Sequence, residues 1–139
     1  MKKILVSACL LGYNCRYLGD NRLCQKVVDL GKDNILIPVC PEQLGGLPTP
    51  RFPGERINGK VVNNHGVDVT EEYLRGANLA LAIAKANDVD YCVFKAQSPS
   101  CGSGLIYDGT FTGNKIAGDG TTAELLKKNG FKVITETEL

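Results

Sequence analysis

Lys3-Ile4-Leu5-Val6-Ser7-Ala8 forms a short, unbroken apolar run at the start of the chain. It lacks the polar alternation of a strand with one wet face, so it reads as a strand covered on both sides. Three more runs have the same character: Asn34-Ile35-Leu36-Ile37-Pro38-Val39, Asp90-Tyr91-Cys92-Val93-Phe94-Lys95-Ala96 and Phe131-Lys132-Val133-Ile134-Thr135. Helical patterns lie between them. Leu23, Val27, Val28 and Leu30 recur at helical spacing, with Gly31 as the C-cap. Thr70 is the expected cap of a helix that starts with Glu71-Glu72 and buries Leu74, Ala77, Leu81 and Ala84. Thr121 and Glu124 spell a capping box before Leu125-Leu126, and Gly130 ends that helix. Strands alternating with helices predict an α/β fold with a mainly parallel sheet flanked by helices. Two short hairpins are expected beside it. One turns at Asn58-Gly59; the other turns at Asp108-Gly109, between Leu105-Ile106-Tyr107 and Thr110-Phe111-Thr112. The Gly- and Pro-rich stretch from Pro41 to Gly59 is too long for a plain connection, and long loops in compact domains are usually functional.

The 139 residues fit one domain, taken as residues 1–139. With 43% hydrophobic and 22% charged residues, the composition is that of a folded globule rather than a disordered chain. A net charge of +1 argues against binding a nucleic-acid polymer. No apolar run approaches the roughly 18 residues a membrane helix needs. Lys2-Lys3 is followed only by Ile4-Leu5-Val6 before polar Ser7, too short for the core of an export signal, so a cytoplasmic protein is expected.

Six cysteines then carry most of the chemical information: Cys9, Cys15, Cys24, Cys40, Cys92 and Cys101. In a reducing compartment they remain thiols, better suited to metals or reactivity than to disulfides. No C-x-x-C occurs, which excludes zinc-ribbon and thioredoxin motifs. Ligands of open α/β sheets bind outside the carboxyl ends of the strands. Cys9 follows the first strand, Cys40 ends the second, and Cys101 lies in the loop after the third. If those strands are neighbours, three thiols meet at one sheet edge, enough for zinc with a fourth ligand or for an iron–sulfur cluster with one open iron. The plain alternative is three buried free cysteines. Cys92 lies inside a strand and reads as a small core residue; Cys24 lies on a helix, and Cys15 follows Cys9 in the first loop. His65, in Asn63-Asn64-His65-Gly66, reads as a loop bystander. Gly54-Glu55-Arg56-Ile57-Asn58-Gly59-Lys60-Val61 nearly matches a phosphate-binding loop. It lacks the final hydroxyl and the strand and helix that would flank such a loop, and a hairpin explains it better.

Four motifs carry a family resemblance. They are Ser7-Ala8-Cys9-Leu10-Leu11-Gly12, Val39-Cys40-Pro41-Glu42-Gln43-Leu44-Gly45-Gly46-Leu47 with Pro50-Arg51, Ser98-Pro99-Ser100-Cys101-Gly102, and Tyr107-Asp108-Gly109-Thr110-Phe111-Thr112-Gly113. Together the sequence resembles the DUF523 family, whose characterised members include the bacterial thiouracil desulfurases. The resemblance spans essentially the whole chain. It implies a Rossmann-like domain holding a [4Fe-4S] cluster on the positions Cys9, Cys40 and Cys101. It also implies conversion of a thiolated base, such as 2-thiouracil, to the carbonyl product and sulfide without net redox. The implied partner is thus a small molecule, with no nucleic-acid polymer and no membrane involved. One departure is visible: where the family commonly has Arg-Tyr-Asp-Gly, this chain reads Arg16-Tyr17-Leu18-Gly19-Asp20, so Asp20 could substitute only from a shifted position.

Chemistry of this kind needs proton transfer beside the cluster. Glu42, in the Cys-Pro-Glu turn, could deprotonate water or protonate a ring nitrogen. Ser98 is assigned to catalysis and Ser100 to substrate binding; Arg51 could neutralise cluster charge or bind an anionic substrate. Two other readings compete: a non-enzymatic metal- or cluster-binding protein, and an iron–sulfur enzyme acting on another small molecule.

Overall fold

Four parallel strands form the central sheet of the computed structural model, which describes residues 1–139. They are β1 (Lys3–Ser7), β2 (Ile35–Val39), β5 (Tyr91–Phe94) and β8 (Val133–Thr135), in the order β2-β1-β5-β8. These are the four apolar runs. β1 and β5 are central and almost fully buried, whereas β2 is an edge strand. Pro38 is tolerated there because β2 pairs on one side only, with Val6 opposite Pro38. The chain passes from β1 to β2 on one side and later to β5 on the other, so direction switches at the carboxyl ends of β1 and β5. That crevice is where such sheets bind ligands.

The helices are α1 (Gln25–Leu30), α2 (Pro41–Leu44), α3 (Thr70–Ala86) and α4 (Thr121–Lys128). Two hydrophobic clusters cover the sheet faces. One joins Leu5, Phe94 and Cys92 to Ala84 and Leu126; the other joins Ile4, Val6 and Val93 to Leu10 and Val27. Cys92 is a fully buried core residue, as read from sequence. No helix is long and apolar enough to cross a membrane.

Several local expectations are corrected. The buried stripe of α3 is Tyr73, Gly76, Ala77, Ala80 and Ala84, while Leu74 is exposed. The small-residue face turns inward because α2 crosses α3 at backbone contact. A β-carbon on Gly76 would lie 1.8 Å from the Pro41 carbonyl oxygen, and one on Gly45 would lie 1.9 Å from that of Glu72. Thr70 does not cap α3; its hydroxyl accepts from Val61 N–H (2.9 Å), while Asp68 accepts from Thr70 N–H (2.9 Å). The Thr121–Glu124 box does not form either. Gly120 is the N-cap, and Thr121 and Thr122 N–H donate to the carbonyls of Pro99 and Ser100, both at 2.9 Å. Glu124 turns to Arg56 and Lys128 instead. Gly31 adopts a right-handed conformation rather than the left-handed C-cap geometry.

The Asn58-Gly59 hairpin is present: β3 (Gly54–Ile57) and β4 (Lys60–Asn63) pair antiparallel, and both turn residues have positive φ. The second hairpin differs from expectation. β6 (Leu105–Tyr107) pairs with β7 (Lys115–Ala117), so Asp108–Asn114 is a longer loop and Thr110–Thr112 is not a strand. Asp108 binds Thr110 N–H and hydroxyl, and Glu55 binds the N–H groups of Gly109 and Phe111. Those bonds pull the loop toward β3 and away from a tight turn.

A Gly76→Ala substitution tests the helix crossing. It should cost about 3 kcal/mol by forcing α2 off α3. The measurement is the urea midpoint at unchanged slope, and a native midpoint would contradict the close approach.

Candidate metal centre

Cys9, Cys40 and Cys101 line one cavity of about 430 Å³ at the carboxyl edge of the sheet. Each reaches it by a different local device. Cys9 sits in the 3-10 turn Ala8–Leu11 that follows β1 directly. Its carbonyl accepts from Gly12 and Arg22 N–H, which folds the first loop back over it. Cys40 is the N-cap of α2, and Pro41 at the first helical position fixes the turn out of β2. Cys101 closes a turn in which the Ser98 hydroxyl oxygen accepts from Ser100 N–H (3.2 Å) and Cys101 N–H (3.0 Å). The N-terminus of α4 seats on that turn through Pro99 and Ser100. Gly120 is required there, since a β-carbon would lie 2.4 Å from the Ser100 carbonyl carbon.

The Cys9 and Cys101 thiols are shielded from water. Burial pushes the Cys9 thiol up to about 11 and raises Cys101 further still. Cys15 also lines the cavity, with its thiol against that of Cys40. Within this pair Cys40 is the more acidic, lowered to about 7 by the hydrogen bond from Cys15 and by Gln43 N–H, against the effect of burial. As a thiol, Cys40 Sγ instead donates to the Cys15 carbonyl (3.7 Å). Cys24, by contrast, lies outside the cavity at the start of α1.

No three His, Cys, Asp or Glu side chains converge closely enough to hold a single metal ion. His65 does not line the cavity; its ring stacks on Phe52 at 3.7 Å and bonds Asn64. The donor set therefore suits a group larger than one ion. Three thiols around a roomy cavity, Cys9 and Cys101 buried and Cys40 partly so, match a cluster whose metal would hold them as thiolates.

Glu42 faces the same cavity and is nearly buried, with 15% side-chain exposure. Its Oε1 accepts from the Tyr73 hydroxyl (2.7 Å), and its Oε2 accepts from both Nε and Nη2 of Arg51. Arg51, at 6% exposure, also donates to the Cys15 carbonyl (2.9 Å), the Pro48 carbonyl (3.3 Å) and Thr49 Oγ1 (3.1 Å). Its donors are thus committed within the protein; the residue expected to bind an anionic substrate holds Glu42 instead. The two serines also separate. Ser100 is 1% exposed and its hydroxyl bonds Thr122 (2.8 Å), which makes it part of the α4 junction. Ser98 accepts through its oxygen, so its hydroxyl hydrogen remains free for a ligand. Leu18 is exposed, and Asp20 pairs with Arg16 and Arg22, bracing the first loop.

Sequence reading missed Tyr73 and Lys95, which both line the cavity. The tyrosine was hidden in a helical pattern. Lys95 carried a signal, being a charge at the carboxyl end of a buried strand.

The family described as 2-thiouracil desulfurase matches residues 4–138. The chain is 47% identical over 146 residues to a Bacillus subtilis (strain 168) protein named uncharacterized protein YbbK, covering 98% of this chain and 97% of that one. It is also similar to a solved structure described as the 4Fe-4S-dependent thiouracil desulfidase TudS. That match has a TM-score of 0.95 and 45% identity, covering 100% of this chain and 93% of the other.

Arg51→Met should cost about 3–5 kcal/mol, because it leaves Glu42 buried without its cation. Tyr73→Phe should cost about 1 kcal/mol for one lost hydrogen bond. Lys32→Ala, at an exposed pair with Asp29, should leave the urea midpoint unchanged. A native midpoint for Arg51→Met would refute the structural importance of the buried pair.

Proposed function

Since the chain belongs to the 2-thiouracil desulfurase family, we propose that it converts a thiolated uracil to the carbonyl product and sulfide at a 4Fe-4S cluster held by Cys9, Cys40 and Cys101. The observation that carries this reading is the meeting of those three thiols with Glu42 around one cavity. When bound, such a cluster supplies an iron without a protein ligand, a Lewis acid for the thiocarbonyl sulfur.

The chain's own residues supply position and proton transfer. Glu42 is the general base that takes a proton from the attacking water. Tyr73 and Arg51 fix the direction of its carboxylate, and Arg51 supplies the counter-charge in a buried setting. Ser98 orients the water or the base through its free hydroxyl hydrogen. Ser100 and Arg51 act on the substrate indirectly, by holding Cys101 and Glu42 in place. The balance is one water consumed and one hydrogen sulfide released per thiocarbonyl, with no electrons gained or lost.

Anaerobically reconstituted protein should contain about four iron and four sulfide per chain. Cys40→Ala should lose iron and turnover together, whereas Cys92→Ala should keep its iron. Glu42→Gln should keep the cluster and lose turnover by about a hundredfold or more. Stoichiometric zinc in the wild type, or full iron in Cys40→Ala, would overturn the ligand assignment; native turnover in Glu42→Gln would remove the base.

A further inference from the structure

Four cationic side chains line the cavity: Arg16, Arg22, Arg51 and Lys95. Arg51 is spent on Glu42, and Arg16 and Arg22 share Asp20. Lys95 is held differently. It directly follows β5, as Cys9 follows the neighbouring strand β1, and the two residues line the same cavity. Its backbone N–H donates to Ser7 Oγ (2.9 Å), which locks the strand end. Its ammonium nitrogen is 3.1 Å from Glu136 Oε2 and 3.1 Å from the Ala96 carbonyl. An ammonium has three donors, so one is left for the cavity. Glu136 does not line the cavity, and its other oxygen accepts from Ala96 N–H (2.7 Å). The ion pair is therefore oriented, with its positive end inward and its negative end behind.

Resting on the function proposed above, we infer that Lys95, clamped by Glu136, is an electrostatic positioning residue of the reaction. Its fixed charge offsets the negative charge of the thiolate ligands and of the sulfur as it departs. As the C–S bond breaks, its electron pair passes to sulfur, while water oxygen forms the new bond to carbon and water protons end on sulfur. A preorganised cation beside developing charge lowers that barrier without reorganising. The Glu136 pair also ties Lys95 to the C-terminal 3-10 turn. A purely structural tie would affect stability and leave the field at the cluster unaltered.

The test uses reconstituted full-length protein carrying Lys95→Met, Lys95→Arg or Glu136→Gln. The readouts are iron content, the midpoint potential of the cluster, and kcat and KM with 2-thiouracil. Lys95→Met should keep its iron, shift the potential negative, and lower kcat by about tenfold or more with KM within about twofold. Lys95→Arg should recover both, and Glu136→Gln should shift the potential positive. An unmoved potential in iron-replete Lys95→Met overturns the inference. If Lys95→Met takes up no iron, an unmoved potential in Glu136→Gln overturns it instead. A wild type that carries the cluster but leaves every thiolated uracil intact refutes the substrate reading, while the potentials still decide the role of Lys95. A wild type that takes up no iron refutes both.

Discussion

A carboxylate removed from water must have its charge answered, and the way Glu42 is answered organises the carboxyl edge of this sheet. Arg51 comes from the irregular stretch after α2, Tyr73 from the first turns of α3, and the Cys15 carbonyl from the first loop. One buried charge thus gathers three segments that are distant in sequence. The Gly45–Gly76 crossing makes the gathering possible, because only bare backbone lets α2 come close enough for Tyr73 to reach Glu42. Cys40 is two residues from that carboxylate, so whatever fixes Glu42 also fixes a thiol.

The Cys101 side of the cavity rests on a second junction of the same type. The Ser98 turn presents two carbonyls to the N–H groups at the head of α4, groups that have no partner inside the helix. The helix end stabilises the turn and the turn caps the helix. Gly120 and Ser100 make the fit possible by small size and by the Ser100–Thr122 hydrogen bond.

How much of this was legible in the sequence follows from the range of each interaction. Apolar runs report local burial, so β1, β2, β5 and β8 could be read directly, and with them the strand ends that carry Cys9, Cys40 and Cys101. Asn58-Gly59 demands positive φ at both positions, so its hairpin was legible too. Errors arose where a distant partner outbid a local one. Thr70 turned to Val61, Thr122 met a carbonyl supplied by Ser100, and Glu55 pulled the 108–114 loop out of a tight turn. Leu74 looked like a core residue by spacing, but the Gly76 contact turned α3 so that its smallest side chains face inward. Arg51 and Ser100 were visible as polar residues in motifs; their hydrogen-bond partners were not.

The two hairpins form separate sheets that wall the cavity away from the parallel sheet. Their buried hydrophobic residues, Val61 and Ile106, belong to neither main hydrophobic cluster. Glu55 ties the two hairpins together, while Arg56, Val61 and Ile106 attach them to the rest of the fold through Asp119, Glu124, Thr70 and Gln97. The molecule therefore has two tiers of cooperativity. A wall that shares little of the main apolar core is expected to have lower local stability than β1 and β5. Backbone amides of residues 54–63 and 105–117 should therefore exchange with solvent ahead of those of the central strands.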